Sequence, residues 1–427
     1  MNRHCITGIK TLEIMDNRGN PTIRTYVTVD ECFTGIADVP SGSSTGSFEA
    51  KEIRDGGNRY NGMGVRTAIN HINTEITPAL TGLAPTNQRA IDRIMIDLDG
   101  TPDKSRLGGN AILGVSLAVA KAAALALGLP LYRYLNSGAH VLPVPQACLL
   151  NGGLHAGNDL DIQEYCVMPV GADSFTHGVQ MLSEIFKSLY EILLARMGKT
   201  ATNSSEDGGF APPLSSSFEA MEILEQAADR AGYADKVCYA LDMAASGLWD
   251  PDKKVYQFEG KSRTTEEMIQ WTQELTRAYP KIVSIEDPLD EKDYSGWTEF
   301  TRQFKDRLVV GDDIFATNPG RIRKGVEEQL ANAVLCKVNQ IGTVTEACDA
   351  ALMARANGFP VVMSVRSGET EDAVLSDISV ALNAGLFKTG GIRGSDRGTN
   401  YNRFIEIEDE LGPLAVYAGH HYKGKLN

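Results

Sequence analysis

The stretch Val237-Cys238-Tyr239-Ala240-Leu241-Asp242 is a short apolar run that stops on an acid. The pattern returns five times. Ile282-Val283-Ser284-Ile285 stops at Glu286, Leu308-Val309-Val310-Gly311 at Asp312, and Val334-Leu335-Cys336 at Lys337. Val361-Val362-Met363-Ser364-Val365 then stops at Arg366, and Gly385-Leu386-Phe387 at Lys388. Runs this short, separated by roughly 20–45 residues of helical pattern, read as buried parallel strands of a (βα) barrel. Such a barrel assembles its active site at the C-terminal strand ends. A lone buried charge is costly, so buried strands should not end on unpaired charges. Three acids followed by three bases on one rim therefore point to a metal site facing a polyanionic substrate. Solvated strand ends are the competing reading, but it has to hold six times over.

Outward from the barrel, the 427 residues suit two or three domains, with a composition (42% hydrophobic, 22% charged) ordinary for a globular enzyme. A formal net charge of −14 argues against a nucleic-acid surface, since phosphate tracking needs clustered Lys and Arg. The seven cysteines show no C-x-x-C spacing and read as free, mostly buried thiols. The N-terminus has no signal-peptide pattern and no apolar run approaches the roughly 18–20 residues of a membrane span, so the cytoplasm is the expected compartment. Residues 6–40 alternate as an antiparallel meander broken by Asn17-Arg18-Gly19-Asn20-Pro21. Ser41-Gly42-Ser43-Ser44-Thr45-Gly46-Ser47 has nothing apolar to pack and is expected to be mobile. Ala111–Leu127 is apolar nearly all round, so it is expected to be a buried helix. The proline-bearing segment 136–146 marks the expected boundary between an N-terminal α+β domain (1–135) and the barrel domain (136–427).

Asp242, Glu286 and Asp312 offer three hard oxygen donors from separate strands, which suits octahedral Mg²⁺. Zinc would prefer His or Cys, and His155 is the one nearby histidine. Lys337, beside a bound cation, Arg366 and Lys388, is expected to have a lowered pKa and to serve as a base. Arg366-Ser367 sets a guanidinium fork beside a hydroxyl, good chemistry for phosphate or carboxylate. A second cluster, Asn151-Gly152-Gly153-Leu154-His155 with Gln163-Glu164 and Glu206-Asp207-Gly208-Gly209, pairs glycines with acids. Taken alone these are weak signals, more often turns. No GxGxxG, P-loop or Gly-x-Ser-x-Gly motif is present.

Together these segments resemble the enolase family nearly end to end. The resemblance is carried by Asp16-Asn17-Arg18-Gly19-Asn20-Pro21-Thr22, the 41–46 loop, residues 151–158, Gln163-Glu164, Ser284-Ile285-Glu286-Asp287-Pro288 and Gly311-Asp312-Asp313. The strongest stretch is Lys337-Val338-Asn339-Gln340-Ile341-Gly342-Thr343, followed by Ser367–Asp372 and Lys388-Thr389-Gly390. The resemblance implies a small α+β domain on a barrel whose first strands break strict βα alternation. It implies a first Mg²⁺ on Asp242, Glu286 and Asp312, and a second, bridged by substrate, with help from Ser44. Lys337 would take the C2 proton of 2-phosphoglycerate, and Lys388 would stabilise the carboxylate dianion. Arg366, Ser367, His155 and Gln163 would contact substrate, while Glu164 and Asp207 would serve the departing hydroxyl.

Two departures stand out. The family reads Gly-Asp-Glu-Gly-Gly where this chain has Ser205-Glu206-Asp207-Gly208-Gly209, leaving open whether Glu206 or Asp207 reaches the site. The family's Ser-His-Arg-Ser-Gly appears as Ser364-Val365-Arg366-Ser367-Gly368. Phe48 and Gly247 also replace a family His and Glu. The leaving-group end is thus altered while metal, base and phosphate groups are kept. A slow ordinary enolase and a paralogue handling another C3 side both fit, carboxyphosphonoenolpyruvate synthase of phosphonate biosynthesis among the latter. A non-catalytic relative is disfavoured by the intact charge cluster. The family's intersubunit Glu–Arg pair appears reversed as Arg24 and Glu406, with Arg18 and Asp409 a second candidate pair, so a homodimer or higher assembly is expected. The ending Lys423-Gly424-Lys425-Leu426-Asn427 gives no support to a C-terminal-lysine binding role.

Overall fold

The computed structural model describes residues 4–43 and 45–422. Strands β1 (Ile6–Met15), β2 (Pro21–Val29) and β3 (Phe33–Asp38) form an antiparallel meander in that order. On β2 the period-two pattern is direct: Ile23, Thr25, Val27 and Val29 are buried, and Arg24, Tyr26 and Thr28 are half-buried. The helix Gly109–Ala126 covers that inner face. It packs so closely that a Cβ on Gly35 would lie 2.3 Å from Ala118 O and Ala122 N. By length and composition this helix would suit a membrane span (mean hydropathy 1.5), contrary to the expectation that no segment approaches that length. It is 83% buried within the protein, which accounts for its apolar character.

Eight strands then close a barrel: β4 (Val144–Asn151), β5 (Glu164–Met168), β6 (Cys238–Asp242), β7 (Ile282–Glu286), β8 (Leu308–Gly311), β9 (Ala333–Cys336), β10 (Val361–Ser364) and β11 (Leu386–Gly390). β5 pairs antiparallel with both β4 and β6, whereas the remaining pairs are parallel. One reversed strand has a chemical consequence. The first residue of β5, Glu164, lies in register with Asn151 and Asp242, which end β4 and β6. A strand start thereby joins the rim that the other strands supply with their ends.

The polar loop after β3 is docked against that rim. Ser41 pairs with Gly368, Ser43 N donates to Ser367 Oγ at 2.7 Å, and Ser47 hydrogen-bonds Glu291. Its lack of apolar side chains is offset by these polar anchors. Phe48 lies under the Arg321 guanidinium, 3.3 Å from the ring centroid, a cation–π contact that holds the far side of the loop.

Candidate active site

A cavity of about 310 Å³ opens at the rim, and the described residues expected there line it, apart from Glu286. Glu286 sits just behind, joined through Lys388. The Lys388 ammonium is 2.6 Å from Asp242 Oδ2, 2.9 Å from Glu286 Oε1 and 3.1 Å from Glu164 Oε1. One buried cation thus gathers three carboxylates from three strands. Burial opposes the Lys388 charge, but Asp242 and its neighbours outweigh that and raise its pKa well above the ordinary value. Burial, followed by the nearby Asp242 charge, also drives the Glu286 pKa up, far above the usual carboxylate range. A carboxyl so placed favours any added positive charge, which together with three hard oxygen donors fits a divalent cation. Asp287, Asp312 and Asp313 form a second oxygen cluster, their ligating atoms within 4.8 Å of one another. Burial and the Asp312 charge push Asp313 up to about 7. Ser44 lies outside the described residues.

Lys337 follows β9 directly and forms an ion pair with Asp312. The expected lowering of its pKa presupposes a bound cation; paired with Asp312 as here, the Lys337 pKa is raised. Burial does act downward, but the adjacent Asp312 carboxylate prevails over it and over Arg366 and Lys388, so the ammonium is stabilised. Gln340 holds Asp312 from the other side, donating to its Oδ1 at 2.7 Å.

The anion-binding side is already partnered within the chain. Arg366 donates to Glu49 Oε2 at 2.9 Å and to Asn339 Oδ1 at 3.0 Å. Ser367 Oγ is shared between Arg18 and Ser43. Gln163, expected to contact substrate, donates its amide to Asp242 Oδ2 at 3.1 Å and so also braces a carboxylate.

The opposite wall comes from two glycine-bearing loops. A Cβ on Gly209 would sit 2.4 Å from Asn151 Oδ1, so glycine there lets the 205–209 loop press against the end of β4. That approach delivers Asp207 to the cavity, where it forms a buried ion pair with His155. Arg397, itself buried, reaches Asp207 Oδ1 at 3.2 Å. Burial would raise the Asp207 pKa, but His155 and Arg397 hold it well below the usual carboxylate range. His155 is correspondingly raised: burial acts downward and Asp207 more than reverses it. Glu206, by contrast, is exposed and accepts a 2.8 Å hydrogen bond from Ser43. Asp207, not Glu206, therefore lines the cavity. Glu164 is raised mainly by burial, with Lys388 pulling against it. Val365 adds an apolar wall between Ser364 and Arg366.

Comparison with known proteins now places this geometry. Residues 6–135 match the family model described as the enolase N-terminal domain, and residues 139–426 match that of the enolase C-terminal TIM barrel domain. The chain belongs to the enolase family. It is 50% identical over 422 residues to the enolase of Thermococcus gammatolerans, covering 98% of each chain. It is 49% identical over 426 residues to that of Pyrococcus furiosus, covering 99% of each, and 50% identical over 419 residues to that of Methanocaldococcus jannaschii, covering 98% of each. An enolase-family hydro-lyase activity follows.

Three groups in this enolase fold went unnoticed in the sequence. Glu49 is the acid just after the polar loop, Gln340 lies three residues past Lys337, and Arg397 sits on the helix Ser395–Leu411. Only Gln340 had a local signal, its place in the longest family-like motif.

Proposed function

We propose that this protein is a Mg²⁺-dependent enolase that takes the C2 proton from 2-phosphoglycerate or a close analogue to give a phosphoenolpyruvate-type product. The observation that carries the reading is one cavity, in a member of this family, combining Lys337, Lys388, Arg366 and a carboxylate set with one acid behind it. Asp242, Glu286 and Asp312 would hold the first Mg²⁺, and Ser44 would help with a second brought in by substrate. Bound there, the cations would supply Lewis-acid stabilisation of the carboxylate dianion.

Lys337 acts as the base. Once Asp312 serves as a ligand, its charge no longer supports the ammonium, and nearby Arg366 and Lys388 favour the neutral amine. Lys388 stabilises negative charge developing on the substrate carboxylate. Arg366 and Ser367 receive the phosphate, with Glu49 released from the guanidinium as they do. Glu164, its pKa raised mainly by burial, serves as the acid that protonates the departing hydroxyl. Asp207, held ionised, keeps His155 charged and aimed at the same end. Val365 supplies no hydrogen bond there, so the C3 side is less polar than the family pattern. The relatives' names favour the hydro-lyase over a synthase. Residues 1–135 cap the barrel in this reading, and a homodimer is the expected assembly.

Mg²⁺-dependent enol formation from 2-phosphoglycerate, followed by ultraviolet absorbance, tests the assignment. Lys337→Ala is expected to lower turnover by about 10²–10⁴-fold while substrate still binds. Unchanged turnover in that variant would overturn the base assignment.

A further inference from the structure

β4 and β5 run antiparallel, and their register sets Cys148 directly opposite Cys166. Both thiols are buried, at 0% and 2% exposure. Their sulfurs and a Glu164 carboxylate oxygen all lie within 4.8 Å of one another. Cys166 Sγ is 3.7 Å from Glu164 Oε2, and Cys148 Sγ is 3.2 Å from Asn151 Oδ1. Neither thiol has a part in the chemistry proposed above, yet each touches a group at the leaving-group end.

We propose that Cys148, Cys166 and Glu164 form a binding site for a thiophilic divalent cation such as Zn²⁺ or Cd²⁺, and that occupying it stops turnover. Two sulfurs and one carboxylate oxygen are the donor set of a tetrahedral zinc-type site with an open position. Zn–S near 2.3 Å and Zn–O near 2.1 Å at a tetrahedral angle place S and O about 3.6 Å apart, close to the spacing already present. Glu164 lines the cavity, so a water entering from that side completes the fourth position. Binding releases three protons, two from the thiols and one from Glu164: M²⁺ + 2 RSH + RCO₂H → [M(SR)₂(O₂CR)]⁻ + 3 H⁺. The resulting thiolates and Glu164 carry three negative charges against two on the metal, and the Lys388 ammonium 3.1 Å from Glu164 offsets the remainder. Mg²⁺, a hard cation, gains little from sulfur, so the site discriminates against the ion proposed for catalysis. Burial pushes the Cys148 thiol well above its ordinary value, which disfavours thiolate-dependent oxidation and leaves metal-driven deprotonation as the route to reaction. Inhibition rests on the reading of Glu164 as the acid, because a metal-bound carboxylate cannot carry the proton.

The test is titration of Cd²⁺ into the full-length protein at saturating Mg²⁺, following the ultraviolet sulfur-to-cadmium charge-transfer band and 2-phosphoglycerate turnover in parallel. The expected result is a band that saturates at one Cd²⁺ per chain as turnover falls. Cys148→Ser and Cys166→Ser should each weaken the band's affinity by about tenfold or more and relieve inhibition, with Mg²⁺-only turnover unchanged. Exposed Cys32 remains in every variant, so its contribution cancels. Circular dichroism establishes that both variants fold. Absence of the band, or wild-type affinity retained in both serine variants, overturns the site. A band without inhibition keeps the site and overturns the role given to Glu164.

Discussion

The two ends of the cavity are built by different means. The end proposed to hold metal and base stands on strand termini: Asp242 and Glu286 close β6 and β7, while Asp312 and Lys337 follow β8 and β9 directly. Barrel closure fixes those positions, so their spacing cannot change without breaking the sheet. The end assigned to the leaving group draws more on loops: His155 and Asp207 are delivered by glycine-bearing turns, while Glu164 opens β5 and Val365 directly follows β10. Loops accept substitution at low cost in fold stability, and Asp207 stands on one.

If that division is right, losses should be graded along the cavity. Removing the strand-end base carries the largest cost, the 10²–10⁴-fold already stated for Lys337→Ala. Asp207→Asn is expected to cost about 10²-fold in kcat, because His155 loses its charge partner and its aim. The opposite change sharpens the comparison. Asp207→Glu with Val365→His restores the family pattern and is expected to raise 2-phosphoglycerate turnover about tenfold, measured beside wild type. A fall would mean that the loop end is already fitted to 2-phosphoglycerate as it stands.

The same division governed what could be read from sequence. The barrel, its six charged rim residues and their grouping were legible because strand period and burial cost are local rules. The place of Glu164 was legible only through the family resemblance, since strand pattern alone does not show that the reversed β5 brings a strand start to that rim. Glu206 and Asp207 are adjacent and chemically alike, and the press of Gly209 on Asn151 selects between them. The ion pair between Lys337 and Asp312 was not legible either, because the two stand 25 residues apart and meet only through the pairing of adjacent strands. Glu49 and Arg397 bond to Arg366 and Asp207 from hundreds of residues distant, and no periodicity reports such pairs.

A smaller effect should appear in stability. His155 has a raised folded pKa, so its contribution is complete below the ordinary histidine value of about 6.5 and is lost as pH climbs through the raised value. Asp207 has a depressed one, so its contribution is present above about 3.9 and is lost as pH falls through the depressed value. The pair therefore stabilises most between about pH 4 and 6.5. Urea unfolding of wild type and Asp207→Asn should differ by about 1–3 kcal/mol near pH 5, and by less near pH 9. A difference constant across that range would mean that Asp207 stabilises through packing or Arg397 rather than through His155.

The smallest effect concerns assembly, where both candidate pairing residues have partners inside the chain. Arg24 grips Asp38 through two bonds of 2.6 and 2.7 Å, and Glu406 meets Arg403 at 3.0 Å. Arg18 is likewise held by Asp16 at 3.0 Å, while Asp409 is exposed. A contact from Arg24 to a second chain would therefore be a shared one, worth under about 1 kcal/mol. Arg24→Glu should weaken dimer association by no more than roughly fivefold, and adding Glu406→Arg should restore it, as read by sedimentation. Chain stability should not recover with it. Asp38 is buried and would still face a like charge, so the melting temperature should stay low in the double variant. Association and stability separating in this way would assign Glu406 to the interface and Asp38 to the fold. Recovery of neither would leave Arg24 a purely intrachain residue.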